Sequence, residues 1–199
     1  MKRVVLASNN AGKLAELGDL LSGLAWQLET QGSLGVSEAD EPWPTFVENA
    51  LTKARHASRA TGLPALADDS GLCVERLGGA PGVRSARYAG EPKDDARNNA
   101  HLIAELDAAG IAEDDWEAMF VSVIVYVEHA DDPLPVIAEG RWTGRVVREA
   151  RGPNGFGYDG HFFVPALHRT AAELDPGIKN RRSHRALALR ALLERLAPA

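Results

Sequence analysis

The sequence is short of cysteine, of metal-binding spacings, of long apolar runs and of excess positive charge, and each shortage removes a class of protein. Its single cysteine, Cys73, lies in the apolar stretch GLCVERL, so no disulfide can form within the chain, and a buried thiol in a reducing compartment is expected. No CxxC pair occurs, and His56, His101, His129, His161 and His168 show no ligand spacing, which argues against zinc. The GxSxG elbow of serine hydrolases is missing around Ser70, and the GxxxxGK[ST] phosphate loop is missing altogether. No apolar run approaches the length of a membrane span, and a strand begins within two residues of the start without a leader-like apolar region. A cytoplasmic protein that does not engage a membrane is therefore expected. Lysine and arginine total 22 against 28 acids, a net charge of -6, which disfavours binding along a nucleic-acid backbone. Repeats and low-complexity tracts are absent from the 199 residues, which suffice for one substantial core, so a single domain over 1–199 is expected.

What the chain does contain is an alternation of strand-like and helix-like segments. VVLA reads as a strand, and Leu14, Leu17, Leu21 and Leu24 recur at helical spacing behind it, predicting an amphipathic helix over residues 11–24. A short strand is predicted at 26–30 and a long loop at 31–44, where turn residues, acids and prolines follow no period. Thr45 and Glu48 form a T-x-x-E capping box that starts a helix running to about residue 61. Residues 64–77 predict two strands broken at Asp68 to Gly71, followed by a glycine-rich loop. A helix is predicted over 94–109 through Ala96, Ala100, Ile103, Leu106 and Ala109. Residues 119–129 alternate as a long strand, and 136–149 return as its antiparallel partner with Gly140 and Gly144 at bends or bulges. Ser183 is a candidate N-cap for a last helix whose stripe is Ala186, Leu189, Leu192, Leu193 and Leu196. These elements predict a mixed α/β sheet covered by helices.

Four stretches carry chemistry. In SNNAGKLAE, residues 8–16, Asn10 and Gly12 suit an ordinary strand-to-helix turn, but Lys13 falls where the helix dipole is already positive. It becomes sensible if an anion sits there, held by backbone N–H groups and the ammonium together. Asp68 and Asp69 in ADDSG read either as a solvated turn or as a carboxylate pair that needs a cation, and the acidic loop EADE at 38–41 supplies further hard oxygen ligands of the kind Mg²⁺ takes beside phosphates. GPNGFGYDG, residues 152–160, is either a tight turn with tucked aromatics or a loop whose backbone approaches a flat ligand, with Phe156 or Tyr158 stacking on it. Lys179, Arg181, Arg182, His184 and Arg185 form a basic knot, read either as a solvated run or as a site for phosphate or for a nucleobase carbonyl.

Together, SNNAGKLAE, TFVENALTKA, ADDSGLCVERLGGAPGVRSARYAGE, GFGYDG and SHRALAL resemble the inosine triphosphate pyrophosphatase family, whose members hydrolyse non-standard purine nucleoside triphosphates; the resemblance runs from about residue 3 to residue 194. It implies an α/β fold with a mixed, elongated central sheet covered by helices, and two lobes with the active site in the cleft between them. It also implies that Ser8, Asn9, Asn10, Ala11, Gly12 and Lys13 form the triphosphate-binding turn, and that Lys53 and Ser70 contact substrate. Glu41 and Asp69 correspond to metal-holding positions for Mg²⁺, and Asp69 to the proton acceptor. Phe156, Gly157, Tyr158, Asp159, Lys179, His184 and Arg185 correspond to base-recognition positions. The expected substrates are ITP, dITP and XTP, cleaved to monophosphate and pyrophosphate by a homodimer. Gly160 and His161 stand where the family usually has proline after GYD, and KNRRSHR is more basic than is typical.

Overall fold

A computed structural model describes residues 1–9, 17, 18, 21 and 25–197. Among these, seven strands join one sheet in the order β2-β1-β3-β4-β5-β6-β7. The strands are β1 (Lys2–Leu6), β2 (Trp26–Thr30), β3 (Ala65–Val74), β4 (Glu117–Val127), β5 (Val136–Val146), β6 (Phe162–Val164) and β7 (Arg169–Thr170). Helices α1 (Phe46–Thr61), α2 (Asp95–Ala108), α3 (Pro176–Arg182) and α4 (His184–Leu196) accompany them. β1 pairs in parallel with β2 and β3, whereas β6 pairs antiparallel with β5 and β7, so the sheet is mixed.

The chain divides into two compact units, each with its own core: Met1–Asp69 with Ser122–Gly140 and Arg185–Ala199, and Ser70–Val121 with Arg141–His184. In the first, Val4, Leu6, Leu66 and Ile124 pack with Leu17, Leu21 and the α4 residues Ala188, Leu189 and Leu192. Leu17 and Leu21 are helical and buried, while most of the helix expected at 11–24 lies outside the described residues. In the second unit, Leu72, Leu102, Leu106, Trp116, Phe162 and their neighbours form the core.

α1 begins as its sequence demands. Thr45 is extended, its Oγ1 accepts the Glu48 N–H at 3.4 Å, and Gly62 ends the helix at φ 70°. Several expectations change. β3 runs unbroken through Asp68–Gly71, because alternation sends Asp68 and Asp69 to opposite faces and each carboxylate finds its own partner. β5 is likewise unbroken, and Gly144 marks close approach instead of a bend: a Cβ there would meet the Phe163 carbonyl oxygen at 2.5 Å and the Phe162 ring at 2.7 Å. The buried face of α2 carries Asn98, Leu102 and Leu106, with Ala96 and Ala100 exposed. β4 is buried nearly end to end and does not alternate, since both of its faces are covered. The basic knot, finally, straddles two helices. Asp175 caps α3 by accepting the Gly177 N–H at 2.8 Å, Pro176 opens it, and Ser183 is extended between α3 and α4.

Candidate active site

In the first unit, two acids converge on one lysine. Asn49 Oδ1 accepts the Trp43 N–H at 3.1 Å and its Nδ2 donates to the Trp43 carbonyl at 3.0 Å, which fastens the acidic loop to the first turn of α1. Lys53, one turn further along the same buried face, donates from Nζ to Asp69 Oδ1 at 2.7 Å and to Glu41 Oε1 at 3.2 Å. The Lys53 and Asp69 side chains are 11% and 6% exposed, so the pair is largely shielded from water. Burial is the largest influence on the Lys53 ammonium and pulls its pKa down. The charges of Asp69 and Glu41, the hydrogen bond to Asp69 and the charge of Asp68 together outweigh it, leaving the pKa above the ordinary 10.5.

Asp68, on the other face of β3, has a different set of partners. Its Oδ1 accepts from Ser122 Oγ at 2.5 Å and its Oδ2 from Arg185 Nε at 3.4 Å, with both side chains of the ion pair almost fully buried. The adjacent carboxylates thus hydrogen-bond different cationic side chains, Asp69 to Lys53 and Asp68 to Arg185. Arg185, assigned by resemblance to base recognition, has its guanidinium against this carboxylate.

In the second unit, the GFGYDG loop is shaped around Asp159. Its Oδ2 accepts the Phe156 N–H at 2.9 Å and the Lys179 Nζ at 2.8 Å. Gly155 and Gly157 take φ values of 82° and 62°, and a Cβ on Gly155 would collide with the Asp159 carboxylate, so glycine is required at that position. Tyr158 turns into the core and donates its OH to the Ser85 carbonyl at 2.8 Å, whereas Phe156 remains 37% exposed. Of the two candidate stacking rings, Phe156 is thus the more exposed. Lys179 Nζ lies 5.0 Å from its centroid, although the ammonium itself is buried against Asp159. His184 is buried and stacked on Phe120, with centroids 4.8 Å apart and ring planes 13° apart.

Of the expected phosphate turn, Ser8 donates its N–H to the Leu6 carbonyl at 2.9 Å and Asn9 is exposed beside Gly32, while Asn10, Ala11, Gly12 and Lys13 lie outside the described residues. Ser70 is half-buried on β3.

Comparison with known proteins places this arrangement. Residues 4–195 match the Ham1 family. The chain is 63% identical over 197 residues to the dITP/XTP pyrophosphatase of Burkholderia pseudomallei (strain K96243), covering 98% of this chain and 93% of the relative. It is 62% identical over 199 residues to the dITP/XTP pyrophosphatase of Ralstonia nicotianae (strain ATCC BAA-1114 / GMI1000), covering 98% and 97%. The structure of a HAM1 protein from Coxiella burnetii superposes with a TM-score of 0.92 at 49% identity, covering 98% of each chain. The chain belongs to the Ham1 family.

For a Ham1 chain, the donor chemistry here suits a small hard cation. Among the described residues no three His, Cys, Asp or Glu side chains cluster as a complete metal cage. Glu41 and Asp69, drawn together through Lys53, present hard carboxylate oxygens of the kind a small divalent cation takes beside waters. Sequence reading missed Ser122 and Phe120, which fix Asp68 and His184. Ser122 leaves a signal as the one small polar residue inside the run MFVSVIVYV, whereas nothing in sequence pairs Phe120 with a histidine 64 positions later.

Proposed function

We propose that this protein hydrolyses non-standard purine nucleoside triphosphates, ITP, dITP and XTP, to the nucleoside monophosphate and pyrophosphate. The observation that carries the reading is near-full-length identity above 60% to proteins named dITP/XTP pyrophosphatase. The geometry supplies a mechanism. Asp69 orients a water molecule and accepts its proton as the water oxygen attacks, and the anhydride bond between the α and β phosphates breaks, releasing pyrophosphate with the bonding pair. Lys53 stabilises the negative charge on Asp69 and keeps Glu41 turned toward it. Glu41 and Asp69 would hold Mg²⁺, which when bound neutralises charge on the triphosphate. By resemblance, the stretch Ser8 to Lys13 would contact the phosphates, with the Lys13 ammonium offsetting charge on the leaving pyrophosphate.

At the other end of the substrate, Phe156 stacks on the purine while Lys179 and His184 offer donors to a 6-oxo group. A 6-amino purine would bring donor against donor, and each buried unmatched donor costs about 1–3 kcal/mol, roughly 5- to 150-fold. Two such contacts acting together would be needed to exclude ATP by about 10⁴-fold. The test is pyrophosphate release from ITP, dITP and XTP beside ATP and GTP. Comparable kcat/KM across all five would overturn the proposal.

A further inference from the structure

The loop that carries Phe156 is held at its tip by a helix that the mechanism does not use. The Gly157 N–H donates to Asp95 Oδ2 at 2.7 Å, and the Gly157 carbonyl accepts from Asn99 Nδ2 at 2.9 Å. Asp95 and Asn99 are four residues apart and so stand one turn apart on the same face of α2. Asn99 Nδ2 also donates to the Asp95 carbonyl at 2.8 Å, which sets the orientation of its amide. The helix is itself well anchored. Asp94 Oδ1 caps it through the Arg97 N–H at 2.9 Å, Leu102 and Leu106 are fully buried, and Asn98 bonds the Ala89 N–H at 2.8 Å and the Ala86 carbonyl at 3.0 Å. On the loop's inner side the Phe156 N–H is already bound by Asp159. The residues on both sides of the Phe156–Gly157 peptide are therefore tied, while Phe156 itself stays partly exposed.

We propose that Asp95 and Asn99 are positioning residues for purine recognition: by gripping Gly157 at both its N–H and its carbonyl, they hold the Phe156 ring in the plane on which the base stacks. This rests on the reading of Phe156 as the stacking surface. An untied left-handed glycine samples several conformations, so the ordering that the clamp supplies in advance would otherwise be subtracted from base affinity at each binding event. Asp95, Asn99 and Phe156 lie in the same compact unit, and the effect is expected at the base end of the substrate.

Steady-state kinetics on ITP, paired with inhibition by inorganic tripolyphosphate, separate the two ends of the site. Asp95→Ala with Asn99→Ala is expected to raise KM for ITP about tenfold, as loss of one or two ordinary hydrogen bonds' worth of ordering would. Its kcat and its inhibition constant for tripolyphosphate should stay within about twofold, because that inhibitor has no base. Asp95→Asn should restore a near-normal KM, since an amide oxygen still accepts the Gly157 N–H. Phe156→Ala identifies which step has failed. If it raises KM while the double variant does not, the clamp is overturned and the stacking reading stands; if neither raises KM, both fall. A double variant that weakens tripolyphosphate as much as ITP would mean general loosening and also overturn the clamp.

Discussion

Replacing Lys53 by methionine removes the cation on which Glu41 and Asp69 converge while keeping most of the side-chain volume. At an effective dielectric of 20, contacts at 2.7 Å and 3.2 Å correspond to about 6 and about 5 kcal/mol of gross attraction. Desolvation of the ammonium cancels much of this, and removal of one partner from a buried pair leaves a net loss of about 3–5 kcal/mol. For a chain of 199 residues that is a fall in Tm of about 6–20 °C in metal-free buffer. The pH dependence has a definite sign. The folded-state pKa of Lys53 is raised, so its stabilisation is complete below the ordinary 10.5 and is lost as pH rises through the raised value; wild type and Lys53→Met should converge only above pH 10.5. Adding Mg²⁺ should raise the Tm of the variant more than that of wild type, because the Lys53 ammonium no longer competes for its two carboxylates. Urea unfolding at pH 8 and above pH 10.5, with EDTA or with Mg²⁺, reads all three effects as changes in unfolding free energy. A variant within about 0.5 kcal/mol of wild type would refute the reasoning, since that is the behaviour of a solvated surface pair.

Asp69→Asn should lower kcat on ITP by at least about 10²-fold, read as pyrophosphate release at saturating Mg²⁺. It should also lower Tm by several degrees, because Lys53 loses its nearer carboxylate partner. His184→Ala should leave kcat on ITP largely intact while reducing the ITP over ATP preference by about 5- to 150-fold, measured as the ratio of kcat/KM values. Tyr158→Phe bears on alkaline stability: burial, with the charges of Tyr88 and Asp95, raises the Tyr158 pKa far above its ordinary 10.0. The stability this contributes is complete below pH 10 and is lost at higher pH with a slope approaching 1.4 kcal/mol per pH unit. The phenylalanine variant should lose about 0.5–1.5 kcal/mol at pH 8 through the missing bond to Ser85, yet show a shallower decline above pH 10 in urea titrations.

Where structure followed local signals, the sequence was readable. The Thr45 cap, the 26–30 strand and the Ala186–Leu189–Leu192 stripe all depend on neighbours within a turn or two. ADDSG misled because aspartate, serine and glycine are turn formers in isolation. What keeps β3 straight is partners 16, 54 and 117 positions away, namely Lys53, Ser122 and Arg185. α3 was hidden by its brevity, its seven residues being too few for a periodic stripe although Asp175 and Pro176 mark its start. The candidate site shows the same division. Local motifs offered the Asp68–Asp69 pair and Phe156 or Tyr158, and resemblance singled out Asp69, but that Glu41 meets Asp69 through Lys53, and that Tyr158 turns inward while Phe156 stays partly exposed, are facts of tertiary packing. The motif at Ser8 to Lys13 rests on resemblance.

The central claim is that the protein breaks the α–β anhydride of ITP, dITP and XTP and spares ATP. The direct measurement is product analysis with purified protein and Mg²⁺, following pyrophosphate and orthophosphate separately from ITP, dITP, XTP and ATP. The account predicts stoichiometric monophosphate and pyrophosphate from the first three, with kcat/KM about 10⁴-fold above that for ATP. Orthophosphate as the first product, or equal turnover of ATP, would contradict it.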